Sequence, residues 1–257
     1  MLTFAMTTTT KLAGLSLYKK DKLLGEIHVE MAKTHSTTIL EQIDSLLKWT
    51  GKKLDEIENV IVSIGPGSFT GVRIAISVVK GLFFGKNVNF YEVNELDALG
   101  YQGYYNLKIN LENDENVKIY SLIDSRKEKI YCSAYEIFCK KAGNKLELVK
   151  NYEVTKLDNV IEEIIENKQN GENNKKIYLI GDAVFNYKVK ILDKLGNFVK
   201  IFEDKNLAIN TMTYVQMFLD KNLRNDDVLG KNIVKKTDIF NLKPDYLEKS
   251  QAERDKK

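Results

Sequence analysis

A β-branched run at residues 60–64 constrains the fold more than any other feature of this sequence. All its residues but one serine are apolar, and the lack of polar alternation is typical of a strand that is covered on both faces. The run ends at Gly65, and the nearly all-apolar segment 72–84 begins soon after it. We therefore predict a buried strand that turns through a glycine-rich corner into an apolar helix.

The residues before this unit predict a small antiparallel sheet and one amphipathic helix. Three opening strands are expected at residues 2–6, 12–18 and 23–29, the last two forming a hairpin. Apolar residues at helical spacing then predict a helix over 36–49. Thr38 and Glu41 offer a capping box for its start, and Gly51 offers a stop.

The order strand, strand, strand, helix, strand, helix, strand occurs once fully and once more loosely, which predicts an α/β protein with two duplicated lobes. We place the first lobe at residues 1–103 and the second at residues 104–225, because an Asn-rich polar stretch follows residue 103. The last helix of the second lobe is a candidate to return to the first. Residues 226–257 are expected to form a charged tail that crosses a surface.

Composition indicates a globular chain and gives little support for a nucleic-acid partner. Hydrophobic residues make up 43% and charged residues 29%, a balance that excludes a disordered chain. The net charge is only +3, so attraction to phosphate would have to come from local patches. No leader pattern precedes the first strand, and no apolar stretch approaches the roughly 20 residues of a membrane helix. We expect a cytoplasmic protein without a membrane partner.

The segment Ser63-Ile64-Gly65-Pro66-Gly67-Ser68-Phe69-Thr70-Gly71-Val72-Arg73 is the most informative motif. Its glycines permit positive φ and close backbone approach, and Ser68 or Thr70 can cap the following helix. Free N–H groups at a helix start also attract anions. On physical grounds a phosphate-binding loop, formed by Gly65, Gly67, Ser68, Thr70 and Gly71, and a purely structural corner therefore stay open as rivals. Of the two possible assignments of Ser68, capping is favoured over a nucleophile, because the segment is not a nucleophile elbow.

This motif resembles the signature of the TsaB (YeaZ) family, within the superfamily of actin, sugar kinases and Hsp70, whose lobes have the RNase H-like fold. Further segments agree in order with the family: Thr34-His35-Ser36, Asn94-Glu95-Leu96-Asp97-Ala98-Leu99, Asp124-Ser125-Arg126 with Tyr131, and Tyr246-Leu247 before Ser250-Gln251-Ala252-Glu253. The resemblance covers nearly the whole chain. It is densest over residues 34–100.

The resemblance implies a largely non-catalytic subunit in the placement of threonylcarbamoyl on adenosine 37 of tRNA. The partners implied are a catalytic paralogue of the TsaD type, bound as a heterodimer, and an ATPase of the TsaE type, with tRNA reached indirectly through the complex. A homodimer is expected when the chain is alone. No cofactor of its own is implied, although ATP or ADP could bind in the complex or at the subunit interface.

The candidate catalytic positions favour this interpretation over two rivals. Actin-like ATPases need an early Asp at the end of the first strand, and Thr7 stands there in this chain, so phosphoryl transfer by an active kinase or ATPase is disfavoured. A metallopeptidase would need a ligand cluster, but His28 and His35 are seven residues apart and are predicted on different elements. We predict no catalytic residues and no metal ligands.

The apolar helix over 72–84 is the predicted partner interface. If Val72, Ala75, Val79 and Leu82 face inward, Ile76 and Phe83 are left at a flank that needs covering. One hypothesis is that the neighbouring helix of the same chain covers it. The other, favoured by the resemblance, is that a homologous partner does so. The interface residues predicted on the second hypothesis are Arg73, Ile76, Lys80, Phe83, His35 and Ile39.

Overall fold

The computed structural model describes residues 1–30, 35–108, 111, 116–140, 143–170, 175–202, 208–220 and 233–248. Its strands are β1 (Leu2–Thr7), β2 (Leu12–Lys19), β3 (Lys22–Glu30), β4 (Asn59–Gly65), β5 (Asn89–Asn94), β6 (Asn116–Asp124), β7 (Lys129–Lys140), β8 (Gly143–Lys156), β9 (Lys176–Ile180), β10 (Val199–Ile201) and β11 (Val234–Thr237). Its helices are α1 (His35–Thr50), α2 (Phe69–Phe83), α3 (Glu95–Leu107), α4 (Leu157–Gln169), α5 (Asp182–Asn186), α6 (Lys188–Leu195) and α7 (Thr211–Leu219). No helix within these ranges is long and apolar enough to cross a membrane.

The chain forms two compact units, and the predicted internal duplication is visible in their sheets. The first sheet has the order β11-β5-β4-β1-β2-β3 and the second the order β10-β9-β6-β7-β8. In each, three antiparallel strands are followed by two strands parallel to the first of them. Two mixed sheets of matching order confirm the predicted α/β fold with two RNase H-like lobes.

The units divide the chain differently from the predicted lobes. The first unit comprises residues 1–98, 209–225 and 232–257, and the second comprises residues 99–208 and 226–231. The division falls within α3 rather than after residue 103, and α7, the helix that was a candidate to return to the first lobe, belongs to the first unit. The reason is that α7 packs on β1, β2 and β3, so its apolar residues complete the core of the first sheet.

The first sheet is covered on both faces, as the run at 60–64 predicted. Val60 and Val62 join the core cluster that α1 and α2 cover, whereas Ile61 is also fully buried but does not belong to that cluster. In the same way, Phe4 and Met6 lie in the cluster while Thr7 contacts α7. Alternate residues of a strand point to opposite faces, so α7 covers the face opposite to α1 and α2.

The structure differs from the prediction at the starts of α1 and α2. α1 begins at His35, so Thr38 lies inside the helix and the predicted capping box at Thr38 is wrong. The predicted stop is confirmed, because Gly51 follows the last residue of α1 with a left-handed φ of 63°. α2 begins at Phe69, three residues before the predicted start at Val72, because Ser68 caps it.

Candidate functional site

The glycine-rich corner joins the end of β4 to the start of α2. Ser68 is the N-cap of α2, and its hydroxyl accepts a hydrogen bond from the Gly71 amide at 3.3 Å. This confirms the capping assignment of Ser68. Gly65 has a left-handed φ of 103°, and its amide donates to the Ser63 hydroxyl at 3.2 Å. Glycine is required at position 65 because most other residues are strained at that φ.

The turn between β1 and β2 packs directly on this corner. The amide of Ser68 donates to the carbonyl of Thr9 at 2.6 Å, and the Thr8 hydroxyl donates to the carbonyl of Gly71 at 2.6 Å. A Cβ atom at Gly71 would lie 1.8 Å from the Thr8 carbonyl oxygen, and one at Gly67 would lie 2.4 Å from that of Thr9. Backbone approach within the chain therefore accounts for both glycines. The phosphate-binding interpretation of Gly65, Gly67, Ser68, Thr70 and Gly71 stays a prediction.

A C-terminal segment lies on the other side of the corner. The amide of Asp245 donates to the Ile64 carbonyl at 2.8 Å, and the Tyr246 ring stacks on Phe69 with centroids 4.8 Å apart. Leu242 is fully buried in the core of the first unit. Over its described residues, 233–248, this segment therefore packs on the first unit, and its strand β11 pairs with β5.

A buried carboxyl group lies at the carboxyl ends of β1, β4 and β5. Glu95, the first residue of α3, is fully buried and accepts hydrogen bonds from Thr9 at 2.5 Å, from Thr7 at 3.3 Å and from Tyr214. The Ser63 hydroxyl also bonds to it. We call Thr7, Thr9, Ser63, Glu95 and Tyr214 the Glu95 cluster. Four hydroxyl groups thus satisfy one buried carboxyl group, as a buried charge or acid requires.

Burial raises the pKa of both titratable groups of this cluster. Removal from water raises the pKa of Glu95 above its ordinary value, against the opposing effect of the hydroxyl hydrogen bonds. Burial, together with the neighbouring Glu95, raises the pKa of Tyr214 well above its ordinary value. In the sequence, Glu95 is recognisable only as part of a family segment. Its one signal is a charged residue directly after the end of β5, and nothing in the sequence connects it to Tyr214.

The predicted interface residues separate into two groups. Ile39, Ile76 and Phe83 are 0%, 5% and 1% exposed and pack in the core of the first unit, so their placement on an outer flank is wrong. Phe83 packs between Phe4 and Phe90, with ring centroids 6.3 and 6.5 Å away. The chain's own residues therefore bury this side, although Phe83 packs on strands rather than on the neighbouring helix that the alternative hypothesis named.

The remaining interface residues lie at the margins of α2 and α1. Arg73 is exposed and is bonded to Tyr246, and Lys80 is half-buried. Their roles at an interface stay predictions. His35 is the first residue of α1, and its side chain lies outside the described residues. Leu82, which we expected to face inward, is half-buried, whereas Val72, Ala75 and Val79 are buried as predicted. The inward face of α2 is therefore rotated toward Ile76 and Phe83.

The outer face of α2 is a row of small and apolar residues. Ser77 and Gly81 are exposed, and Ile74 and Val78 are half-buried. A Cβ atom added at Gly81 would meet no atom within 4 Å, so no packing within the chain requires a glycine there. Small side chains at i and i+4 allow another helix to approach closely.

The β6–β7 turn of the second unit is bonded to α5 and to Tyr187, which follows it. The Asp182 carboxylate accepts from the Asp124 amide at 2.9 Å, and the Asp124 carboxylate accepts from the Arg126 amide at 2.8 Å. Gly181, not Asp182, is the N-cap of α5. His28 lies on β3 and His35 on α1, which confirms that the two histidines are on different elements. Within the described ranges, no three His, Cys, Asp or Glu residues are grouped as metal ligands.

Comparison with known proteins relates most of the chain to proteins of threonylcarbamoyladenosine biosynthesis. The TsaD family model, described as tRNA N6-adenosine threonylcarbamoyltransferase, matches residues 23–253. The TsaB protein of Bacillus subtilis (strain 168), a tRNA threonylcarbamoyladenosine biosynthesis protein, is 24% identical over 98% of this chain and 96% of its own length. The TsaB protein of Haemophilus influenzae is 31% identical over 50% of this chain and 51% of its own length.

A solved structure agrees with the fold. YeaZ from Pseudomonas aeruginosa superposes with a TM-score of 0.65 at 18% identity, covering 96% of this chain and 99% of that one. A similarity at this identity shows that the two chains share a fold. Because the family model covers most of the sequence and TsaB proteins match it, the chain belongs to the family of that model and, within it, is a member of the TsaB (YeaZ) group.

Proposed function

We propose that this chain acts in the threonylcarbamoyl modification of adenosine in tRNA as a non-catalytic subunit that binds a catalytic protein of the TsaD type. The observation that carries the proposal is similarity to a TsaB biosynthesis protein over 98% of the chain. The Glu95 cluster supports the non-catalytic part. Its carboxyl group is enclosed by hydroxyl groups of the chain, so it is not presented to a metal ion or a water molecule.

The outer face of α2 is the docking surface that we propose for the TsaD-type partner. Ile74, Ser77, Val78 and Gly81 define this face, which we call the α2 outer face. It offers apolar contact through its half-buried residues and close helix approach at Gly81. A homologous partner has a corresponding helix, so a helix-to-helix contact fits both chains. In the absence of the partner, the same face is available for pairing with a second copy.

We propose no cofactor of its own for this chain. A nucleotide would then be contributed by the TsaE-type ATPase or held where subunits of the complex meet, and tRNA would be bound through the complex. The active rival, an ATPase or kinase, would require a reactive carboxylate at the end of β1, where Thr7 stands. ATP turnover by the purified chain with Mg²⁺ alone would contradict the non-catalytic role.

Reconstitution tests the proposal directly. The tRNA modification is assayed with the TsaD-type and TsaE-type proteins and the threonylcarbamoyl donor, with and without this chain. We expect modification only when the chain is present, and no turnover by the chain alone. Modification at the same rate without it would refute the role.

A matched pair of variants tests the docking surface. Val78→Asp places a charge on the α2 outer face, and Val189→Asp places one at an exposed position of the second unit. We expect Val78→Asp to weaken TsaD binding about tenfold or more, because burying an unpaired charge at an interface is strongly unfavourable. Val189→Asp should bind as the unchanged protein does. Equal binding by both variants would exclude this face.

A further inference from the structure

The Glu95 cluster brings together elements that are far apart in the sequence. Thr7 and Thr9 come from the end of β1 and the following turn, Ser63 comes from β4, and Glu95 begins α3. Tyr214 comes from α7, 119 residues after Glu95. The hydroxyl of Tyr214 also bonds with Thr7 and Ser63. The cluster therefore joins α7 to β1, to β4 and to the start of α3 at one point.

Thr9 connects this cluster to the start of α2. Its hydroxyl donates to Glu95 Oε1 at 2.5 Å, while its carbonyl accepts from the Ser68 amide at 2.6 Å. The oxygen of the same carbonyl lies 2.4 Å from the position that a Cβ atom of Gly67 would take. The position of Thr9 therefore sets the position of the N-cap of α2, and Glu95 holds Thr9 in place by its side chain.

Glu95 is a fully buried carboxyl group that is bonded to the turn supporting the corner. The Glu95 side chain is not required for the capping of α2, because Ser68 is the N-cap. It is not used in the proposed docking surface either, because it is fully buried. A buried acid that four hydroxyl groups satisfy is a costly arrangement, and its effect is to fix the groups around it.

We propose that Glu95 is a positioning residue for partner binding: through Thr9 it holds the corner from which α2 projects its outer face toward the TsaD-type partner. The inference rests on the proposed function, since it takes the α2 outer face as the docking surface. Loss of the Glu95 side chain frees the hydroxyls of Thr7, Thr9 and Tyr214 and lets the β1–β2 turn shift. The start of α2 is then no longer held in one position. Ordering α2 on binding costs free energy, so the affinity for the partner falls.

The side chain acts by accepting hydrogen bonds, so its charge is not needed. A Gln side chain has the same volume, accepts at its oxygen, and donates from its nitrogen to hydroxyl oxygens, which can act as donors or acceptors. Glu95→Gln should therefore retain the position of Thr9. Glu95→Ala should not, and Thr9→Val should separate Thr9 from Glu95 while leaving the Thr9 carbonyl for Ser68.

The test compares four variants for binding to the TsaD-type protein and for hydrogen exchange of the Ser68 amide. They are Glu95→Ala, Thr9→Val, Glu95→Gln and the control Leu17→Ala, which removes a fully buried side chain of β2 outside the cluster. We expect Glu95→Ala and Thr9→Val to weaken binding about tenfold and to speed Ser68 exchange about tenfold or more. Glu95→Gln should change both by less than about threefold. Leu17→Ala should bind as the unchanged protein does at a temperature where it is folded.

The outcomes separate failure of this inference from failure of the proposed function. If the unchanged protein does not bind the TsaD-type protein, the proposed function fails, and Ser68 exchange in Thr9→Val still tests the coupling. If it binds and Thr9→Val binds equally well, the inference is wrong while the proposed function stands. Equal weakening by Leu17→Ala also overturns the inference, because general loss of stability would then explain the effect. If Glu95→Ala does not fold, Thr9→Val decides the question.

Discussion

Arg73 donates a hydrogen bond from its Nε to the hydroxyl oxygen of Tyr246 at 2.6 Å, although the two residues are 173 positions apart. The Tyr246 ring also stacks on Phe69, in the first turn of α2. Phe69 and Arg73, at the start of α2, thus both contact Tyr246 of the C-terminal segment. Arg73, predicted as an interface residue, therefore has a partner within its own chain.

Removal of the Tyr246 side chain should loosen the C-terminal segment. We expect Tyr246→Ala to lower the free energy of unfolding by about 1–2 kcal/mol, because it loses ring stacking and the hydrogen bond. Tyr246→Phe keeps the stacking and should lose about 0.5–1 kcal/mol. Urea unfolding measures both values. Equal losses in the two variants would mean that the hydroxyl, not the ring, supplies the stabilisation.

Substitutions along α2 should separate core residues from the outer face. Ile76 is 5% exposed, so Ile76→Ala should lower the free energy of unfolding by about 2–4 kcal/mol through lost burial and a cavity. Val78 is half-buried, and Val78→Ala should lower it by less than about 1 kcal/mol. Thermal and urea unfolding provide the measurement. A larger effect at Val78 would mean that α2 is rotated differently from the structure.

Glycine-to-alanine changes should have opposite effects at two positions of α2. A Cβ atom at Gly71 would lie 1.8 Å from the Thr8 carbonyl oxygen, so Gly71→Ala should destabilise the protein by about 3 kcal/mol or more. Gly81 is surrounded by open space in a helix interior, so Gly81→Ala should stabilise it by about 0.5–1 kcal/mol. Urea unfolding of the two variants measures the difference.

Gly81→Ala also has an expected effect on binding. If the α2 outer face receives a partner helix, the added methyl group should weaken TsaD binding even though the protein is more stable. Binding titration of the same sample measures this. Stronger binding that follows the gain in stability would contradict close helix approach at Gly81.

The pKa of Glu95 gives the unfolding free energy a defined pH dependence. Burial raises the pKa of Glu95 in the folded state, so the folded state favours the protonated acid. Its stabilising contribution is complete below the ordinary pKa of a glutamic acid and is lost as the pH rises through the folded pKa. Tyr214, the titratable group that faces it, has a pKa raised well above its ordinary value and stays neutral.

Glu95→Gln removes this titration and supplies the comparison. The free energy of unfolding of Glu95→Gln minus that of the unchanged protein should increase as the pH rises above the ordinary pKa of a glutamic acid. Urea unfolding at several pH values measures the difference. A difference that is independent of pH, or that falls as the pH rises, would show that Glu95 is not desolvated in the folded protein.

Most elements could be predicted from the sequence because their signals are local. The run at 60–64, the three opening strands and the cap at Ser68 each depend on residues close together in the chain. The resemblance carried by residues 65–71 then led to the family, and the family model supports it over residues 23–253. The orientation of α2 could not be predicted in this way. Its sequence is apolar on nearly every side, so periodicity gave no unique inward face.

The sequence by itself determined the α/β order, the glycine corner and the family, since these depend on side-chain periodicity, turn chemistry and motif. Tertiary structure alone decided that Ile76 and Phe83 are core residues and that Glu95 meets Tyr214. The physical reason is that the burial of a side chain depends on which residues from distant parts of the sequence pack against it. α7 packs on the first sheet and helps to remove the Glu95 side chain from water. Packing on the same sheet determines which side of α2 is buried.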